Sequence, residues 1–219
     1  MRTNRRKLTY KDVLPSIYEK LEYIANTNGG WILTNLYLTS KSTLNIKVQL
    51  LIKSVSSFCG STELFNANDG WITKNAIGLG ISQLGNGFRF FWGSGDINTP
   101  LSNIATEGCI DTISDIKLNR IYNLSIANNM ASVDGVKVAT LKNVEFETKY
   151  PFSIFQISRS IPFVSSKQQR IYDLKIGGDL NAHFIPVKRN DGVIGMYDLV
   201  GKKFYTSPNG VAFSGGGKI

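Results

Sequence analysis

Leu44, Ile46, Val48, Leu50 and Ile52 alternate with Asn45, Lys47 and Gln49, and only Leu51 interrupts the polar side. A period of two places one set of side chains on each face of a pleated strand. On a helix the same apolar set would spread around the whole cylinder, so the stretch predicts a long strand with one buried face. Tyr172, Leu174 and Ile176 alternate in the same way with Asp173 and Lys175, as do Tyr122, Leu124 and Ile126 with their neighbours. Tyr172 is therefore expected on the buried face beside Leu174 and Ile176.

Turn signals separate further apolar runs. Gly85-Asn86-Gly87 joins predicted strands Ala76 to Leu84 and Phe88 to Trp92, and Asp134-Gly135 forms a hairpin centre. Near the C-terminus, Gly177-Gly178-Asp179, Asn190-Asp191-Gly192, Val200-Gly201-Lys202 and Ser207-Pro208-Asn209-Gly210 divide a meander. Its run Ala182 to Lys188 holds Pro186, which has no ladder N–H and predicts an edge or a bulge. Phe152 to Ile157 reads as a strand, whereas Gly93 to Asn103 and Arg159 to Gln169 read as loops. About a dozen strands with no long internal repeat predict a two-sheet jelly roll rather than a propeller.

Three stretches carry a family resemblance. Ile171 to Phe213, including FIPVKRNDGVIGMYDLVGKKFYT, resembles the C-terminal signature of LamG-like jelly-roll domains in structural proteins of bacteriophages and prophages. Leu14 to Leu36 is similar to the opening of that family, and Met130 to Leu141 (MASVDGVKVATL) to its strand–DG–strand hairpin. The resemblance implies an all-β, two-sheet antiparallel jelly-roll sandwich of the concanavalin A-like lectin/glucanase type. One domain would cover residues 14–219, after a basic extended arm at residues 1–13. It further implies a non-enzymatic virion structural protein: a capsid-decorating, head-fibre or tail-associated subunit in a multi-copy assembly with other virion proteins. The alternative is a carbohydrate-binding adhesin, a receptor-binding module for host surface glycans.

Composition narrows the setting. Of 219 residues, 42% are hydrophobic, enough for a packed core, and no apolar run approaches the ~20 residues of a bilayer span. The opening MRTNRRKLTYKDV has no apolar segment of the secretory kind, so assembly in the host cytoplasm and residence in the virion are expected. A net charge of +9 favours an acidic partner, whether nucleic acid, cell-wall polymer or neighbouring subunit, unless it is simply a soluble basic surface. Nucleic acid is disfavoured, because Lys and Arg are scattered and no RRM or OB signature is present.

The charge is concentrated at one end. Arg2, Arg5, Arg6, Lys7 and Lys11 face a single Asp12, and Leu8 and Tyr10 stand among them as possible anchors. Such a segment buries too little apolar surface to order alone, so it is either an idle tail or a virion-docking arm. Pro15 limits any helix between Asp12 and Ala25 to a short piece.

Candidate chemistry is sparse. Glycosidases on this type of sandwich need two carboxyls on one strand face, and the nearest match is Glu145-Phe146-Glu147. Lys142 and Lys149 beside it favour a solvated outer face. Asp111 and Asp115 have the wrong parity to be strand neighbours, and His183 has no identifiable nucleophile beside it. Cys59 and Cys109 lack metal-ligand spacing and read as two buried thiols in preference to a disulfide. No metal or cofactor is expected. The candidate glycan-binding loop is Asn66, Asn68, Asp69 and Trp71, which joins amide and carboxylate hydrogen bonding to an aromatic ring. The competing reading is a turn followed by a core tryptophan.

Overall fold

The computed structural model describes residues 14–26, 29–52, 56–67, 70–81, 87–96, 108–112, 116–157 and 169–219. Among these no helix forms. A turn closed by Tyr18 N–H on the Pro15 carbonyl (2.9 Å) leads directly into β1 (Tyr18–Lys20). There follow β2 (Ile24–Asn26), β3 (Ile32–Leu33), β4 (Thr43–Leu50), β5 (Ser56–Ala67) and β6 (Gly70–Ile81). Next come β7 (Phe88–Asp96), β8 (Gly108–Asp111), β9 (Ile121–Ala127), β10 (Met130–Val133), β11 (Val136–Thr140) and β12 (Ser153–Ile154). The chain ends with β13 (Gln169–Gly177), β14 (Ala182–Arg189), β15 (Ile194–Asp198), β16 (Lys203–Tyr205) and β17 (Ser214–Gly215).

The strands form two antiparallel sheets. The large sheet runs β11-β10-β9-β4-β13-β14-β15-β16, with β1 added to β14 and β2 lying between β13 and β17. The small sheet runs β3-β12-β5-β6-β7-β8. Their inner faces share one core, in which Phe58, Phe88, Phe90 and Trp92 of the small sheet meet Leu44, Ile46, Leu124 and Leu174 of the large one. The Phe88 and Tyr122 rings meet edge-on across the two sheets, 4.9 Å apart. Each fully buried side chain of this size stabilises the fold by about 1.5–3 kcal/mol. The all-β sandwich of jelly-roll type is therefore the architecture, as the alternation predicts.

Three local expectations change. Pro186 lies inside β14 and not at an edge, opposite Met196 of β15. On its other flank β14 passes from β13, at Phe184↔Leu174, to β1, at Val187↔Lys20. The Pro186 carbonyl accepts from Leu21 N–H (3.0 Å) at that hand-over, so the missing N–H falls where one partner strand replaces another. The predicted loop from Gly93 begins late: β7 continues to Asp96 and keeps pairing with β6 at Gly95↔Thr73. Most consequential is Tyr172. Both Ile171 and Leu174 are fully buried, three positions apart, because the β13 register slips between Ile171 and Asp173. The extra residue of this bulge turns Tyr172 away from the core, out to the other face.

The thiols are separated by topology. Cys59 is fully buried and free on β5, and Cys109 is on β8, three strands across the small sheet. At about 4.8 Å per strand their backbones stand roughly 14 Å apart, whereas a disulfide needs Cα atoms within about 7 Å.

Candidate functional site

The outer face of the large sheet divides into two halves. On one, Ile185, Val187 and Tyr197 form a second apolar cluster, capped by Leu14, Tyr18, Leu199 and Phe204. Tyr18 lies 4.9 Å from the Tyr197 ring and stacks on Phe204 at 5.3 Å. The segment from Leu14 to Lys20 thus straps the apolar half and leaves the other half open. Beside the strap is a cavity of about 490 Å³ where Ile17, Lys188 and Ile219 surround the Glu19–Lys218 ion pair (2.8 Å).

The open half is polar, and strand register orders it into rows. Ser132 pairs with Ser125, Ser125 with Asn45, Asn45 with Lys175, and Lys175 with His183. Their neighbours along each strand, such as Ile46, Leu124, Leu174 and Phe184, point into the core, so this row faces solvent. A second row joins Asn123, Lys47 and Asp173. A third sets Gln49 opposite Arg170.

Around the bulge the second and third rows converge on Tyr172. Its hydroxyl donates to Gln49 Oε1 (3.0 Å), which also accepts from Arg170 Nη1 (2.9 Å). Gln49 Nε2 in turn donates to the Asn119 carbonyl (2.6 Å), which fixes the amide's orientation. The Arg170 guanidinium lies 4.3 Å from the Tyr23 ring centre, the Tyr23 and Tyr172 rings are 5.6 Å apart, and Lys47 Nζ is 5.6 Å from the Tyr172 ring. Burial pushes the Tyr172 phenol above its ordinary pKa, against the lowering effect of Arg170. Its hydrogen bond to Gln49 and its contacts with Tyr23 and Lys47 hold the Tyr172 ring in place.

Next to this corner, where the rows reach β14, His183 Nε2 lies 2.6 Å from Asp173 Oδ1, and Lys175 Nζ approaches the other oxygen of that carboxylate at 3.7 Å. The imidazole has an orienting carboxylate, but no hydroxyl or thiol among the described residues hydrogen-bonds its ring. A nucleophilic triad needs that third member. Glu145 and Glu147 are exposed, and Phe146 between them packs edge-on against Trp92 at 5.1 Å, so the two carboxylates stand on a solvated surface. Among the described residues no three His, Cys, Asp or Glu side chains gather as a metal site would require.

Little of the sites expected from sequence falls within the described residues. Asn66 and Trp71 pair directly across the β5–β6 hairpin. Their side chains, and Asn68 and Asp69 altogether, lie outside the described residues, as do Arg2, Arg5, Arg6, Lys7, Leu8 and Tyr10 of the arm. The residues that do converge, Tyr23, Lys47, Gln49, Arg170 and Tyr172, carry no sequence motif. The one available signal was that the polar positions of two strongly alternating strands are amides, cations and a carboxylate.

No family model matches the chain, and no curated protein matches it. Among solved structures, it is similar to the Trypanosoma rangeli sialidase in complex with 2,3-difluorosialic acid, a covalent intermediate. The identity is 16% over 72% of this chain and 25% of that one, with a TM-score of 0.40. The same enzyme with sialic acid gives 17% identity over 62% and 20%, with a TM-score of 0.37. A mutant displaying trans-sialidase activity gives 18% over 65% and 20%, with a TM-score of 0.36. The chain spans a quarter or less of those enzymes' length. The likeness is too slight to assign chemistry.

Proposed function

We propose that this protein is a non-catalytic, sugar-binding jelly roll carried as a structural subunit on a bacteriophage particle. The observation that supports sugar binding is the open half of the large sheet, where the exposed amides Asn45 and Asn123 and the half-buried hydroxyls Ser125 and Ser132 share a face with Tyr172 and its hydrogen-bonded partner Gln49. Sugars present hydroxyls at their rims and apolar C–H faces, so their sites combine amide and charged hydrogen-bonding groups with an aromatic edge or face. Catalysis would need in addition a paired acid and nucleophile, and Glu145, Glu147 and the His183–Asp173 pair do not supply that set in their observed surroundings. Carriage on a virion is supported by the LamG-like resemblance at three places along the chain.

Two measurements test this. The isolated protein is applied to an array of bacterial surface glycans beside a Tyr172→Ala variant with an unchanged circular dichroism spectrum. Retention by the wild type and its loss in the variant are expected, and equal retention by both would remove Tyr172 from the site. Mass spectrometry of purified particles should find the chain at many copies. Its absence from washed particles would end the virion reading.

A further inference from the structure

We infer that the open face takes an extended, carboxylate-bearing oligosaccharide laid across the strands, not a single sugar ring held in a loop. The inference rests on the sugar-binding reading above and adds length, direction and charge to it.

Length and direction follow from register. The row Ser132–Ser125–Asn45–Lys175–His183 crosses five strands, each link a direct cross-strand pair. At about 4.8 Å per strand it runs roughly 19 Å, enough for several sugar rings in line. The second row, Asn123–Lys47–Asp173, runs parallel to it two residues along the strands, so hydrogen-bonding groups line a two-row track, bridged at its β13–β14 end by Asp173 and His183. The track runs toward the Tyr172 corner, and the strap over Ile185 and Val187 closes the face on one side.

Charge follows from the side chains on that track. Lys47 and Lys175 are exposed, Arg170 sits at the Tyr172 corner, and the carboxylate among them, Asp173, is already engaged by His183 and Lys175. Glu22 lies near enough to Tyr172 to oppose its ionisation, on the Tyr23 side of the corner. Cations therefore outnumber acids along the rows, which complements a chain bearing carboxylates at intervals. A single-stranded nucleic acid is a poorer fit. Successive bases need a series of open rings to stack on, and here the Tyr23 face is occupied by Arg170.

The test uses the full chain and defined probes: galacturonate oligomers and hyaluronan fragments of one, two, four and six sugars, galactose oligomers of the same lengths, and a short oligo-dT. Affinity for the acidic series is expected to rise about tenfold or more from two sugars to four, and to fall several-fold between about 50 and about 500 mM salt. A Lys47→Ser, Lys175→Ser double variant should lose most of the acidic preference. Both side chains are exposed, so its fold should be unchanged, which circular dichroism checks. Neutral and acidic oligomers bound equally, or affinity complete at one sugar, would overturn the inference and leave sugar binding standing. Preference for oligo-dT would overturn it in favour of nucleic acid. Failure to hold any glycan, there or on the array, would bring down the sugar-binding reading itself.

Discussion

The guanidinium of Arg170 lies 4.3 Å from the centre of the Tyr23 ring, and this contact ties β13 to the residue that leads into the short strand β2. Because the group is flat, it can stack on Tyr23 while its Nη1 donates to Gln49. A lysine ammonium can keep the charge but cannot do both. Arg170→Lys is therefore expected to destabilise the fold by about 1 kcal/mol, from a weakened cation–π contact and a lost charged hydrogen bond. Urea unfolding should show a lower midpoint at unchanged slope. A midpoint equal to wild type would mean the stack contributes nothing.

Much of this architecture was legible in the residue pattern, and the exceptions have physical causes. The apolar side of the β4 alternation was followed, with Leu44, Ile46, Val48 and Leu50 all buried, but Gln49 on the polar side is buried too and the strand ends before Ile52. The Asn190-Asp191-Gly192 turn formed as its chemistry demands, with Gly192 at φ 89° and Asp191 accepting from Val193 N–H. Tyr172 escaped because a bulge is a property of two strands together. Nothing in IYDLKI alone says that β4 will meet it one residue out of step. Pro186 escaped for a similar reason, since the change of partner from β13 to β1 is invisible to either segment. The candidate site was illegible as a unit because its members come from β4, β13 and the stretch before β2, brought together only by non-local pairing.

Asp179 clamps one end of the sandwich. It accepts from Thr39 Oγ1 (2.5 Å) and Ser42 Oγ (2.8 Å), and fastens the loop before β4 to the turn after β13. Burial raises its pKa, but the two hydroxyl bonds, its backbone N–H and Lys41 outweigh that, so the carboxyl sits below its ordinary value. A carboxyl lowered on folding contributes stability above its unfolded pKa and loses it as pH falls through the folded value. Asp179→Asn should thus cost up to about 1 kcal/mol near neutral pH, the bonds being partly screened by solvent. The gap between variant and wild-type melting temperatures should close as the pH is taken well below the ordinary carboxylate pKa. A gap that stays constant over that range would show that the charge is irrelevant.

Cys59 offers a probe of global opening. It is fully buried on β5 opposite Leu79, and burial pushes its thiol far above the ordinary range, only partly offset by a backbone hydrogen bond at Leu79. The thiolate is the reactive form, so the native thiol should be inert. In a Cys109→Ser background, Ellman's reagent should label Cys59 only at the rate of unfolding, and denaturant should accelerate labelling in step with the equilibrium transition. Fast labelling under native conditions would contradict the packing of β5 against β6 and β12.

The last prediction concerns the proposed attachment to a virion. Residues 2–11 hold Arg2, Arg5, Arg6, Lys7 and Lys11 without an acidic residue among them, and Leu8 and Tyr10 supply apolar anchors. Guanidinium groups suit carboxylates on a protein surface, and a short chain with few apolar residues gains order only from such a partner. The strap over Ile185, Val187 and Tyr197 is built by Leu14 and Tyr18, which follow this segment in the chain. Removing residues 2–11 should accordingly leave the circular dichroism spectrum and thermal midpoint unchanged while abolishing incorporation into particles. Replacing Arg2, Arg5, Arg6 and Lys7 with Ser should weaken attachment and reduce its dependence on salt, because fewer charges remain to be screened. Full occupancy of the truncated chain on particles would show that the arm is idle and would move attachment to the jelly roll. The cavity where Ile17 and Ile219 flank the Glu19–Lys218 pair would then be the next surface to mutate.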